Sequence, residues 1–143
     1  MCGISVVITP EEFGYDGQLA KMSKAIESRG MRGTHTVELA QNIYARFEWL
    51  PVSPDNQPQP YKNMLFNGFI SNYRELAAKY DIDLRSDSDT ELLGSFLYKF
   101  GLEKLDELNG FFAVVWYDHK KKQLHRFTDR YGIKQPYEDT HEG

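Results

Sequence analysis

The 143 residues include one cysteine, Cys2. A lone thiol excludes an internal disulfide and a zinc site built on several cysteines. Long apolar runs are lacking as well. Stretches such as Ala113–Tyr117 fall far short of the roughly 20 residues that span a bilayer. Residues 1–15 carry Glu11 and Glu12 and no basic residue, so no secretory leader and no membrane partner are expected, and the cytoplasm is the default location. Basic residues are outnumbered, 17 Lys+Arg against 21 Asp+Glu, for a net charge of −4, which argues against nucleic-acid binding. The chain contains no G-x-x-x-x-G-K-[ST], no G-x-G-x-x-G and no H-E-x-x-H, so no cofactor and no metal are expected. No carboxylate pair has a spacing that singles it out for glycosidase chemistry.

What is present fits one domain over residues 1–143. Ile4–Ile8 is a β-branched run that reads as a buried strand, ended by Pro10. Asp16 can cap a helix from Gly17 to about Arg29, with Gly30 just past its end. Ile43–Trp49 alternates as a strand. Four of the six prolines (Pro51, Pro54, Pro58, Pro60) make residues 50–61 a loop. Met64–Phe66 reads as a short strand that runs into Asn67-Gly68, a turn dipeptide. Asn72 with Glu75, and Ser88 with Glu91, are capping-box patterns. They open one helix to Tyr80 and another that Gly101 ends. Phe111–Tyr117 reads as a central strand, and Gln123–Thr128 as the returning arm of a hairpin. Strands at both ends of the chain, with helices between, give an α+β layered fold.

Three groups of residues could do chemistry. Cys2 becomes the first residue if Met1 is removed, and then carries both a thiol and an α-amino group. The amine, with an ordinary pKa of about 7.7–8.0, can serve as base for its own side chain. The competing reading is an inert cysteine. Gly3 beside it allows close approach of a ligand or simply a tight turn. Asn67 and Gly68 could together offer a side-chain and a backbone N–H to an oxyanion, although Asn-Gly is also an ordinary turn. Arg46 could pair with a carboxylate and Asp89 with an ammonium, as an amino-acid head group requires. Asp89 would serve equally well at a helix start. Arg126, Asp129 and Arg130 read as structural ion pairs.

These segments resemble the glutaminase domain of class II glutamine amidotransferases, above all that of asparagine synthetases. The matching stretches are MCGI at the start, SRG at Ser28–Gly30, YARFEWLPV, LFNGFISNYREL at Leu65–Leu76, SDTELL at Ser88–Leu93, LNGFFAVVWYD at Leu108–Asp118 and DRYGIKQPY at Asp129–Tyr137. The resemblance implies a four-layer α-β-β-α sandwich of the N-terminal-nucleophile hydrolase type, truncated at the C-terminus. It implies Cys2 as nucleophile, with Asn67 and Gly68 as the oxyanion hole. It further implies that Arg46 and Asp89 hold the ends of L-glutamine, and that Leu50 and Val52 line the pocket. The reaction implied is release of ammonia through a γ-glutamyl thioester. Departures from the family pattern are Met31 and Arg32 after Gly30, Phe69 where asparagine synthetases have Glu, and Gln135 inside the usual GIKPLY.

No acceptor domain fits in this length, so a separate ammonia-accepting enzyme is the expected partner. Self-association through an uncovered edge strand is the other expectation. Two further readings stay open. One is an inactive regulatory or assembly protein that retains the fold. The other is an N-terminal-nucleophile amidase for a different amide.

Overall fold

A computed structural model describes residues 2–10, 14–29, 33–49 and 59–140. Strand β1 (Gly3–Ile8) runs antiparallel to β3 (Ile43–Trp49), with Ile4 opposite Phe47 and Val6 opposite Ala45. On the other side of β3 lies β2 (Gly33–Ala40), so the first sheet has the order β1-β3-β2. The second sheet, also antiparallel, has the order β4-β5-β6, from Met64–Ile70, Gly110–Asp118 and Gln123–Thr128.

Side-chain alternation decides which face each sheet turns inward. Ile4, Val6, Ala45, Phe47 and Leu39 of the first sheet meet Leu65, Val115, Tyr117 and Leu124 of the second. Helix α1 (Tyr15–Ala25) covers the outside of the first sheet, where Leu19 is fully buried near Val7 and Tyr44. Helices α2 (Tyr73–Lys79) and α3 (Asp89–Phe100) cover the second. There Leu76, Leu92, Leu93, Phe96 and Leu97 pack on Phe66, Phe112 and Val114. The result is the expected α-β-β-α arrangement.

The structure corrects several local expectations. Strand β2 has no counterpart in the sequence reading. Asp16 does not cap α1, because the helix starts at Tyr15 with Gly14 as its N-cap. Its carboxylate instead meets Arg46 at 3.3 Å. Asn72 and Ser88 are N-caps, but neither makes a side-chain cap bond. The Asn72 amide bridges to the Glu107 carbonyl and accepts from Asn109 N–H. Glu91 accepts the N–H groups of Arg85 and Ser86 and the Ser86 hydroxyl rather than closing a box with Ser88. Asn67-Gly68 is not a turn but the middle of β4. Gly101 does end α3, with φ 63°. Gly30, Met31, Arg32 and the loop prolines Pro51, Pro54 and Pro58 lie outside the described residues.

Candidate active site

Among the described residues strand β4 is an edge strand, and its hydrogen bonding can be counted residue by residue. In an antiparallel pair, alternate residues turn their backbone groups toward the neighbour and away from it. Tyr117 N–H donates to Asn63 O at 3.0 Å, and Ser71 N–H to Asn109 O at 2.8 Å. These bonds place the odd positions of β4 against β5. The backbone groups of Met64, Phe66, Gly68 and Ile70 therefore point out of the sheet edge. Met64 exchanges both bonds with Tyr61 at 3.0 Å. Phe66 N–H donates to Gln59 Oε1 at 2.7 Å, and Gln59 Nε2 donates to Phe66 O at 2.9 Å. Ile70 N–H donates to Asp89 Oδ2 at 3.0 Å. Only the Gly68 N–H, of these four, has no partner among the described residues.

Gly68 has φ +149°, a conformation that favours glycine. A Cβ there would lie 2.1 Å from the Phe111 carbonyl oxygen and 2.6 Å from Phe112 Cα. The close approach of β5 thus requires glycine at this position. The same contact is repeated at Gly110, where a Cβ would lie 2.0 Å from Phe69 O.

Asn67 projects from β4 toward the first sheet. Its Nδ2 donates to the Cys2 carbonyl at 2.7 Å, which joins the two sheets at the start of β1. A primary amide has two N–H groups, and this bond uses one. The Cys2 side chain is half-buried and packs against the core between the sheets. Gly3 lets the strand start press on α1's far end, since a Cβ there would lie 2.5 Å from Ile26 Cδ1.

Asp89 opens α3 and reaches the end of β4 through Ile70. Burial lifts its carboxyl above the usual range, although the N–H groups of Ile70, Thr90 and Asp89 itself oppose the rise. Arg46 is placed differently. It sits on the α1 side of β3, where Nε donates to Thr36 Oγ1 at 3.0 Å and a terminal nitrogen to Asp16 at 3.3 Å. Cys2 faces the other side of that sheet. The structure thus gathers Cys2, Asn67 and Gly68, ties Asp89 to the same strand, and sets Arg46 apart from them. Leu50 and Val52 lie outside the described residues.

Some residues of this region were not singled out in the sequence. A cleft of about 560 Å³ adjoins Asn67, lined also by Phe111, Ala113, Ile133, Lys134, Gln135 and Tyr137. One wall is held by Asp129, which is buried and accepts the N–H groups of Phe112, Tyr131 and Ile133 at 3.1 Å and of Lys134 at 3.3 Å. Burial alone would raise its pKa, but those four donors bring it below the ordinary value. The expected ion pairing within Arg126, Asp129 and Arg130 is not what forms. Arg130 donates to the Asp106 carbonyl at 2.6 Å, and Arg126 meets Glu138 at 2.9 Å. Gln59 was not singled out at all. A glutamine between prolines carries no signal that its amide will pair with a strand.

Known proteins supply an independent comparison. The family described as "Glutamine amidotransferase domain" matches residues 1–143. A putative glutamine-hydrolysing asparagine synthetase 2 of Methanocaldococcus jannaschii is 27% identical over 96% of this chain and 32% of its own length. A glutamine-hydrolysing asparagine synthetase of Zea mays is 32% identical over 93% of this chain and 24% of its own. A protein of Gibberella zeae named amidase chry2 is 27% identical over 99% of this chain and 24% of its own. The chain therefore spans between about a quarter and a third of the length of these relatives. By its layered fold and by a match that runs from its first residue to its last, this chain belongs to the glutamine amidotransferase domain family.

Proposed function

We propose that this domain hydrolyses the side-chain amide of L-glutamine and delivers ammonia to a separate amidating enzyme. In this reading Met1 is removed and Cys2 is the nucleophile. Its α-amino group takes the thiol proton, and the thiolate attacks the amide carbon. The oxyanion is met by the second Asn67 N–H and by Gly68 N–H. The α-ammonium then returns the proton to the leaving nitrogen, and ammonia departs. Water cleaves the γ-glutamyl thioester to glutamate. Asp89 receives the substrate ammonium. Arg46 takes the carboxylate, which requires it to leave both Thr36 and Asp16 on the α1 face of β3, and Leu50 and Val52 border the bound molecule. The observation that carries the reading is the outward Gly68 N–H beside an Asn67 amide that is bonded to Cys2 itself.

The test is the intact mass of the protein after exposure to an electrophilic glutamine analogue, with and without excess glutamine. Loss of Met1 and one adduct on Cys2, suppressed by glutamine, is the expected result. Retained Met1 with no adduct overturns the reading and leaves a non-catalytic domain. Cys2→Ala abolishes turnover. Asn67→Ala lowers kcat by about 10²–10³-fold, or about 3–4 kcal/mol, as loss of one oxyanion donor does. Normal turnover in Asn67→Ala removes that residue from the mechanism.

The position of Arg46 favours a second reading, in which Cys2 acts on a different amide and Arg46 is a strut between β2, β3 and α1. Arg46→Ala separates the two. A raised KM for glutamine supports the first, and unchanged turnover the second.

A further inference from the structure

We propose that Gln59 is a positioning residue for the oxyanion donor of Gly68. The proposal rests on the hydrolysis reading above and adds to it the means by which the donor is aimed. A glutamine amide presents one donor and one acceptor in a plane, as a peptide unit does. Gln59 uses both on Phe66, at 2.9 and 2.7 Å, and so stands in for one residue of an adjoining strand. Two residues past Gly68, Asp89 Oδ2 holds the Ile70 N–H at 3.0 Å. Gly68 therefore lies between two braced residues on the open edge of β4.

The brace has a physical purpose. Glycine has the widest backbone freedom of any residue, and Gly68 occupies a φ of +149°. Asn67 and Phe69 pair with β5 on the inner side only, so a twist of the outer edge would still swing the Gly68 N–H. The Phe66 ring is buried and its outward N–H and C=O are both held by Gln59, while Ile70 is fully buried. With both neighbours fixed, the direction of the Gly68 N–H is fixed as well. A donor misplaced by about 1 Å can cost a rate factor of about 10². A pair of hydrogen bonds two residues away thus acts on catalysis without touching substrate.

The test compares the full chain with Gln59→Ala and with Gln59→Glu, which keeps the shape but replaces the donor by a carboxylate oxygen. Three rates or affinities are read in each. Glutamine turnover needs the oxyanion donor. Alkylation of Cys2 by iodoacetamide needs the thiolate and forms no oxyanion. Binding of L-glutamate needs the pocket alone. The expected result is a kcat lowered by about 10–100-fold in both variants, with alkylation rate and glutamate affinity changed less than about twofold. Amide exchange gives a second readout, independent of turnover. In the unsubstituted chain the Phe66 and Ile70 amides are protected and that of Gly68 is not, and Gln59→Ala exposes Phe66. Unchanged kcat in folded variants, an equal fall in all three measurements, or a protected Gly68 amide overturns the proposal. An unsubstituted chain that neither turns over glutamine nor binds glutamate overturns the hydrolysis reading itself, a result distinct from the other three.

Discussion

Helix α3 buries Leu93, Phe96 and Leu97 against Phe66, Phe112 and Val114, and the outer face of the second sheet is apolar throughout that contact. Helix α1 meets the first sheet through Leu19, Val7, Tyr44 and the stacked ring of Tyr15, and beyond those through a polar seam. There Glu48 is buried and accepts the hydroxyls of Ser23 and Thr34, and Arg46 joins Thr36 to Asp16. Apolar burial is non-directional and forgiving of small shifts. A buried polar seam needs each partner in place, and one missing partner leaves a group unsatisfied. The half with the apolar core carries Asn67 and Gly68. The half with the polar seam carries Cys2.

That contrast can be broken from either side. The largest effect is expected from Phe96→Ala, at about 3–5 kcal/mol in urea unfolding, because its site is ringed by fixed neighbours. Leu19→Ala falls near the low end of the range for leucine, about 2–3 kcal/mol, because α1 can settle toward Tyr15 and Val7. Equal costs at the two positions erase the distinction between the halves.

Asp129→Asn comes next, at about 1–3 kcal/mol, since an amide leaves some of the four N–H groups unsatisfied. The sign of its pH dependence follows from its lowered pKa. The ionised carboxylate stabilises the fold fully above the unfolded value of about 3.9, and that contribution is lost as pH falls through the lower folded value. Asp129→Asn flattens the stability profile below about pH 4. Glu91 follows the same rule: burial raises its pKa, but the Ser86 hydroxyl and the N–H groups of Ser86 and Arg85 bring it below the ordinary value. Asp89 runs the other way. Its folded pKa is raised, so its contribution falls as pH rises through that value.

The smallest effect is expected from Asp16→Ala. Its contact with Arg46 is largely exposed on the Asp16 side, 76%, and the change stays within about 0.5 kcal/mol by denaturation. A larger loss means that the seam under α1 depends on this pair.

Strands β1 and β5 were legible as apolar runs, β3 by its alternation, and β6 as the return of a hairpin after a polar turn. Strand β2 was not. Its Thr34, Thr36 and Glu38 share one face with the seam, and its other face holds His35 beside Val37 and Leu39. The pattern has period two, but little of it is hydrophobic. Asn67-Gly68 read as a turn because local propensity favours one, and the close backbone of β5 overrides it. Cys2 was singled out by its position alone, and the structure joins its carbonyl to the Asn67 amide. Gln59 was not, because its part in the fold comes from an amide that imitates backbone. Arg46 was singled out by its charge, while its direction was set by the register of β3, which the sequence does not print.

The braces along β4 have one more consequence. An open strand edge is the usual template on which a second chain adds, and on which fibrils grow. Here Tyr61, Gln59 and Asp89 occupy the outward donors of Met64, Phe66 and Ile70. An incoming strand would find one donor to pair with, at Gly68, and fixed side chains on either side of it. If the Gly68 N–H serves as the proposed oxyanion donor, the same edge is closed to a neighbouring chain, and an opening kept for chemistry does not become a seed for aggregation.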